Sequence, residues 1–267
     1  MDLGLNGKVA AVTGGTRGIG RATVLALARE GVRVAFCARD EEAVRLVEKE
    51  VAAEGGMCFG QQVDLAERSA ADDFITNTVD AFGELDILVA AAGIHKIKEF
   101  ADLTDAEWDE TFEVNFFAPM RVCRAAIPYM QQKRSGHIVL VSAGSIHKPS
   151  IGPDVHPHYT ASKAALANLA KFLSKQYGPD NIVVNTVLPG YSIREEIREL
   201  WANEAEAAGQ STEEHFVQMA TDIGYLPAMR RAGTPEEFAN VITFVVSDAN
   251  SFMSGVELAI DGAGLDD

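Results

Sequence analysis

Short runs that are apolar at almost every position alternate along this chain with longer stretches whose apolar residues recur every three or four positions. The short runs, 9–12, 32–37, 58–62, 87–90, 137–141, 183–187 and 257–260, read as strands. The longer ones, 19–30, 41–53, 70–82, 117–130, 159–177 and 235–246, read as amphipathic helices. A strand without a polar face is covered on both sides, and single helices between such strands bring them into one parallel sheet. Right-handed crossovers then predict an α/β fold: a doubly wound parallel seven-stranded sheet with helices on both faces and ligands at the carboxyl ends of the strands.

One segment breaks the alternation. Residues 191–231 are too long for a simple connection and hold two helical patterns, 194–208 and 212–221, with Trp201, Phe216, Met219 and Tyr225 available to face inward. An insertion at the ligand edge of such a sheet predicts a small helical substrate lid; the alternative is an ordinary packed excursion. No Pro/Ser-rich linker, low-complexity tract or repeat divides the 267 residues, so a single domain over 1–267 is expected.

Composition narrows the partners. A formal net charge of −16 speaks against nucleic acid and against an anionic membrane surface. No apolar stretch approaches the roughly 20 residues that cross a bilayer. The first residues, Met-Asp-Leu-Gly-Leu-Asn-Gly-Lys, show no basic segment leading into an apolar core. Cys37, Cys58 and Cys123 lack metal-ligand spacing and read as free thiols of a reducing compartment, so a cytoplasmic protein is expected.

Candidate chemistry begins where the first strand runs into Thr13-Gly14-Gly15-Thr16-Arg17-Gly18-Ile19-Gly20 and then a helix. Glycine permits positive φ and close backbone approach, and the helix N-terminus offers unpaired N–H groups to a pyrophosphate. This strand–turn–helix context is what a dinucleotide site requires, although Gly14-x-x-x-Gly18-x-Gly20 is one residue longer than the general fingerprint. Further on, Tyr159 and Lys163 stand four apart at the start of a helical stretch and share one face. A cation beside a phenol stabilises the phenolate, so the pair suits proton transfer to or from an oxygen; a surface Tyr/Lys pair is the bland alternative.

Together these features resemble the short-chain dehydrogenase/reductase family, Rossmann-like in fold, over nearly the whole chain. Gly14 to Gly20 matches its T-G-x-x-x-G-x-G turn, and Tyr159-Thr160-Ala161-Ser162-Lys163 its Y-x-x-x-K. Asn115 falls on the family's helix asparagine, Asp64 on the acidic residue that meets the adenine, and Pro189-Gly190 on the pair beside the nicotinamide. The tail, with 231–237, Gly255 and Asp261-Gly262, resembles the family's C-terminal end. The resemblance implies hydride transfer between a nicotinamide cofactor and a ketone or secondary alcohol. Tyr159 would be the general acid/base, Lys163 would lower its pKa and hold the nicotinamide ribose, and Asn115 would bind a water linking Lys163 to solvent. Cofactor contacts are expected from Gly14, Thr16, Arg17, Gly18, Ile19, Gly20, Arg39, Asp64, Gly93, Tyr159, Lys163, Pro189 and Gly190. A homo-oligomer, tetramer or dimer, is also implied, joined through two helices and the C-terminal strand.

Two positions depart from the family. Its serine after the fifth strand falls on Ala143; Ser145 shares the parity of Ala143 and is the first candidate to orient the carbonyl, Ser142 the second, and no serine the third. Ala90-Ala91-Ala92-Gly93 stands where N-N-A-G is common, which removes amides that tie the sheet to the cofactor. For the cofactor itself, Arg39 after Ala38 and Arg17 in the glycine turn suit the 2′-phosphate of NADP(H). Asp40 or Glu41 reaching back to the ribose would instead suit NAD(H). His147, Asp154, His156 and His158 precede or adjoin Tyr159 without a fixed ligand spacing, so no metal is expected; His156 or His158 near a polar substrate group competes with solvated loop histidines. Two other functions stay open. One is a 3-oxoacyl-carrier-protein reductase, whose acidic carrier would have only Lys133 and Arg134 to dock on; the other is a catalytically silent nucleotide-binding scaffold or sensor.

Overall fold

Seven parallel strands form one sheet: β1 (Val9–Thr13), β2 (Arg33–Ala38), β3 (Met57–Gln62), β4 (Ile87–Ala90), β5 (Gly136–Val141), β6 (Ile182–Pro189) and β7 (Glu257–Ile260). They lie in the order β3-β2-β1-β4-β5-β6-β7. The computed structural model describes residues 1–149, 156–193 and 195–265, with the side chains of 195–197 left aside. Every residue of β1, β4, β5 and β6 is buried, while the edge strands β3 and β7 are only partly so. That is why the central strands read as largely apolar runs. Successive side chains feed opposite faces. Val9 and Ala11 join one core with Leu88 and Ile138, whereas Ala10 and Val12 join the other with Val89 and Val139.

The first core is closed by α3 (Ala70–Phe82), α5 (Ala118–Lys133) and α6 (Pro157–Tyr177), and the second by α1 (Gly18–Arg29), α2 (Glu41–Ala53) and α9 (Pro235–Val245). The chain winds outward from β1 to β3 and returns to add β4 on the other side of β1. The loops after β1 and β4 therefore part at this switch point, where a ligand crevice opens. The extra helical region is present as α7 (Glu195–Ala208) and α8 (Thr212–Asp222), packed on a small cluster of Trp201, Phe216 and Ala220.

One helix is not apparent in the apolar pattern. α4 (Asp105–Phe112) starts at a capping box, in which Thr104 and Glu107 satisfy each other's backbone N–H groups, and buries only Thr111. It widens into a π-turn over Glu113–Phe117 before α5 begins. Among the described residues, no helix is long and apolar enough to cross a membrane.

Candidate active site

Backbone contact shapes the glycine turn between β1 and α1. Gly14 has φ +71°, and a Cβ on it would stand 2.9 Å from the Ala92 Cα. A Cβ on Gly20 would stand 2.2 Å from the Gly14 carbonyl oxygen, so no larger residue fits. Arg17 occupies the N-cap of α1 without bonding its side chain to the helix, and the first turn holds no acidic residue. The leading N–H groups are thus left for an anion.

Arg17 and Arg39 are both exposed at the rim of this turn, and neither pairs with a carboxylate among the described residues. The carboxylates that an NAD(H) site would call on are engaged elsewhere. Asp40 caps α2, its Oδ1 accepting from Glu42 N at 2.9 Å and Ala43 N at 3.1 Å. Glu41 pairs with Arg45 at 2.5 Å. Asp64 follows β3 at the same rim, one carboxylate oxygen accepting from Ala66 N at 3.0 Å. The ends of β1 and β4 are tied without asparagine amides, because Thr13 Oγ1 accepts from both Ala91 N and Ala92 N at 3.1 Å.

α6 opens with Pro157 in its first turn, a position where the missing N–H costs nothing. Tyr159 therefore sits in the first turn and Lys163 one turn on, its Nζ 5.9 Å from the Tyr159 ring centroid. Lys163 is 4% exposed and donates to the Val141 carbonyl at 2.8 Å. Burial pulls its pKa down to about 8. Asn115, fully buried in the π-turn, accepts from Ile94 N at 2.8 Å and donates to Ile94 O at 3.0 Å and Ser162 Oγ at 3.1 Å. A Cβ on Gly93 would lie 3.2 Å from Asn115 Oδ1 and 3.3 Å from Lys163 Nζ, so the glycine keeps the space between amide and ammonium open.

The serine candidates separate cleanly. Ser142 is buried and donates to the Lys163 carbonyl at 2.8 Å. Ser145, in a single 3₁₀ turn over Gly144–Ile146, accepts from Thr160 Oγ1 at 3.2 Å and lines the cleft. The histidines separate too. His156 lines the cleft, while His158 is buried against Trp108 and His147 pairs with Glu257 at 2.5 Å. Asp154 lies outside the described residues, and the described ones hold no cluster fit for a metal ion.

All the cofactor contacts expected from the sequence, with Ser145, line one cleft of about 1110 Å³ at the carboxyl ends of the strands; Asn115 stands just behind it. The sequence reading missed His95. It follows Gly93 by two residues, and its ring lies 4.8 Å from Tyr159 and 4.5 Å from His156, centroid to centroid. Its position in the loop after β4 was the only signal available.

A doubly wound sheet whose switch-point cleft joins a glycine turn to a Tyr–Lys pair defines an α/β oxidoreductase with a nucleotide site. The chain belongs to the short chain dehydrogenase family, whose pattern matches residues 8–204, and it is an oxidoreductase acting on CH–OH and C=O groups. It is 34% identical over 262 residues to an uncharacterized oxidoreductase of Bacillus subtilis, covering 98% of both chains. It is 32% identical over 260 residues to an L-rhamnose 1-dehydrogenase (NAD(P)(+)) of Sphingomonas sp., covering 97% of this chain and 96% of the other. The crystal structure of L-sorbose reductase from Gluconobacter frateurii, complexed with NADPH and L-sorbose, matches with a TM-score of 0.92 over 100% of both chains at 26% identity.

Proposed function

We propose that the protein uses NADP(H) to interconvert a small ketone and its secondary alcohol, with Tyr159 carrying the proton. The observation that supports this best is the Tyr159 phenol beside the buried Lys163 ammonium, in the wall of the cleft that also holds the glycine turn. The bound cofactor supplies or accepts the hydride.

The residues present fit that cofactor. The Gly14–Gly20 cradle and the uncapped start of α1 would receive the pyrophosphate, and Arg17 and Arg39, unpaired with carboxylates among the described residues, would clamp the 2′-phosphate. Asp64 would meet the adenine, while Gly93, Pro189, Gly190 and Lys163, which line the same cleft, would hold the nicotinamide riboside. Tyr159 gives its proton to the developing alkoxide, or takes one from the alcohol in reverse. A charged Lys163 beside it favours the phenolate and so brings the phenol closer to the working pH. The opening beside Gly93, between Asn115 and Lys163, is where a water passes the proton on from solvent. Ser145, its hydroxyl fixed by Thr160, orients the carbonyl, and residues 191–231 act as the lid.

Docking of an acidic carrier protein is disfavoured, since Lys133 is paired with Glu84 and Asp86, and Arg134 with Asp180. The test is oxidation of NADPH against a panel of ketones. Tyr159→Phe should lower turnover about 10²–10⁴-fold while leaving NADPH binding, read by fluorescence, unchanged. Full turnover by Tyr159→Phe refutes the role of Tyr159, and a higher kcat/KM with NADH than with NADPH refutes the cofactor assignment. Binding of NADPH with no turnover on any ketone would favour the scaffold reading.

A further inference from the structure

Two hydroxyl groups in the cleft wall are buried with no hydrogen-bond partner among the described residues, Tyr225 Oη and Ser192 Oγ. Both come from the 191–231 insertion. Tyr225 is 6% exposed, and its hydroxyl reaches the carboxyl end of β5, 2.4 Å from where a Cβ on Gly144 would stand. Only a glycine admits it there. Its ring is held edge-on by Tyr191 at 5.4 Å, with Lys148 Nζ 5.7 Å over its face, so the hydroxyl has little freedom to find another partner. Ser192 lies one residue on from Tyr191, in a backbone bridge to Gly233.

A buried hydroxyl left unpaired costs stability, and such groups persist where a ligand completes them. On the β5 side of the cleft, Ser142 donates to the Lys163 carbonyl, and Ser145, which accepts from Thr160, is assigned to the reacting carbonyl, so neither serves the other substrate oxygens. Burial and the nearby Asp261 carboxylate push the Tyr225 hydroxyl up to about 12, so it stays a neutral donor at any working pH. The insertion packs on its own cluster of Trp201, Phe216 and Ala220, which allows a small displacement of the whole unit as a substrate enters.

We infer that Tyr225 and Ser192 hydrogen-bond substrate oxygens other than the reacting one, so that the cleft takes a hydroxylated ketone or the corresponding polyol. This rests on the proposed role of Tyr159 at the reacting oxygen. A site built around hydroxyl donors discriminates strongly against a substrate that leaves them unpaired.

The experiment compares kcat/KM for L-sorbose and 1,3-dihydroxyacetone with that for 2-butanone and cyclohexanone, all with NADPH. The wild type should favour the hydroxylated ketones by at least about tenfold, and Tyr225→Phe and Ser192→Ala should each lose most of that preference. The loss should fall on the hydroxylated substrates alone, with NADPH affinity unchanged. Tyr225→Phe should melt no lower than the wild type, because the change removes an unpaired hydroxyl and keeps the ring; a tyrosine that merely supports the fold would not combine an unchanged Tm with a substrate-selective loss. Equal or better turnover of the plain ketones by the wild type, or an unchanged ratio in both variants, overturns the inference. Turnover retained by Tyr159→Phe on every substrate overturns the underlying catalytic reading instead.

Discussion

At the scale of single residues, Lys163 is an amine held away from water. Its ammonium is buried, with the Val141 carbonyl as its hydrogen-bond acceptor, and burial holds its pKa near 8 instead of 10.5. Below about pH 8 the side chain is protonated in both the folded and the unfolded chain. Between that value and 10.5 the unfolded chain keeps the proton that the folded one has released, so the unfolded state binds more protons and stability rises with pH. Lys163→Met has no such titration. The wild type should therefore gain on this variant, on the order of 2–3 kcal/mol, as the pH climbs through that window. Denaturant unfolding at both ends of the window measures it, and a constant difference between the two proteins would mean that Lys163 is not desolvated in solution. Spacing put Tyr159 and Lys163 on one helix face, because four residues make about one helical turn, and the glycine turn and Asn115 favoured a working pair over a surface one. His95 was not legible, because only the folded loop after β4 brings its ring against Tyr159.

At the scale of elements, the strands and the long helices followed from their apolar periodicity, and their ends differ from the expected ones by a few residues. α4 escaped because it is short and buries a single residue, leaving no stripe to read. Its capping box, Thr104-x-x-Glu107, was the available signature. The π-turn that follows cannot be read from periodicity, yet it seats Asn115 against the loop after β4. Asn115 was expected at the relay. Its side chain also has a structural task, binding both main-chain groups of Ile94 and the Ser162 hydroxyl. Asn115→Ala should then cost about 1–3 kcal/mol, since it leaves the half-buried Ile94 N–H and C=O without their partner. A thermal scan checks this. A melting temperature equal to that of the wild type would show that the loop after β4 finds other partners.

At the scale of the whole molecule, two of the exposed aromatic residues lie on the outward faces of helices that flank the first core. Phe117 at the start of α5 is 39% exposed and Phe172 on α6 is 62% exposed. Between the two helices runs a hollow of about 330 Å³ lined by Met120, Ile127, Leu169 and Leu173. β7 ends the sheet with a free edge. These surfaces coincide with those through which the family resemblance implies a dimer or tetramer, and we propose that a second copy of the chain covers them. Each copy carries a net charge of −16, so two copies repel at long range while the apolar contact attracts only at close range. Added salt should therefore strengthen the assembly: sedimentation at about 0.3 M salt should show less dissociation than at about 0.02 M, where the screening length is several times greater. Phe172→Glu should shift the population to single copies, because the interface would have to bury an unpaired carboxylate. The same substitution should leave the Tm nearly unchanged if measured where the wild type is also dissociated, since Phe172 contributes little to the core of one copy. A wild type that remains a single copy in both salts would remove the assembly from this account of the molecule and leave the cleft to work in one chain alone.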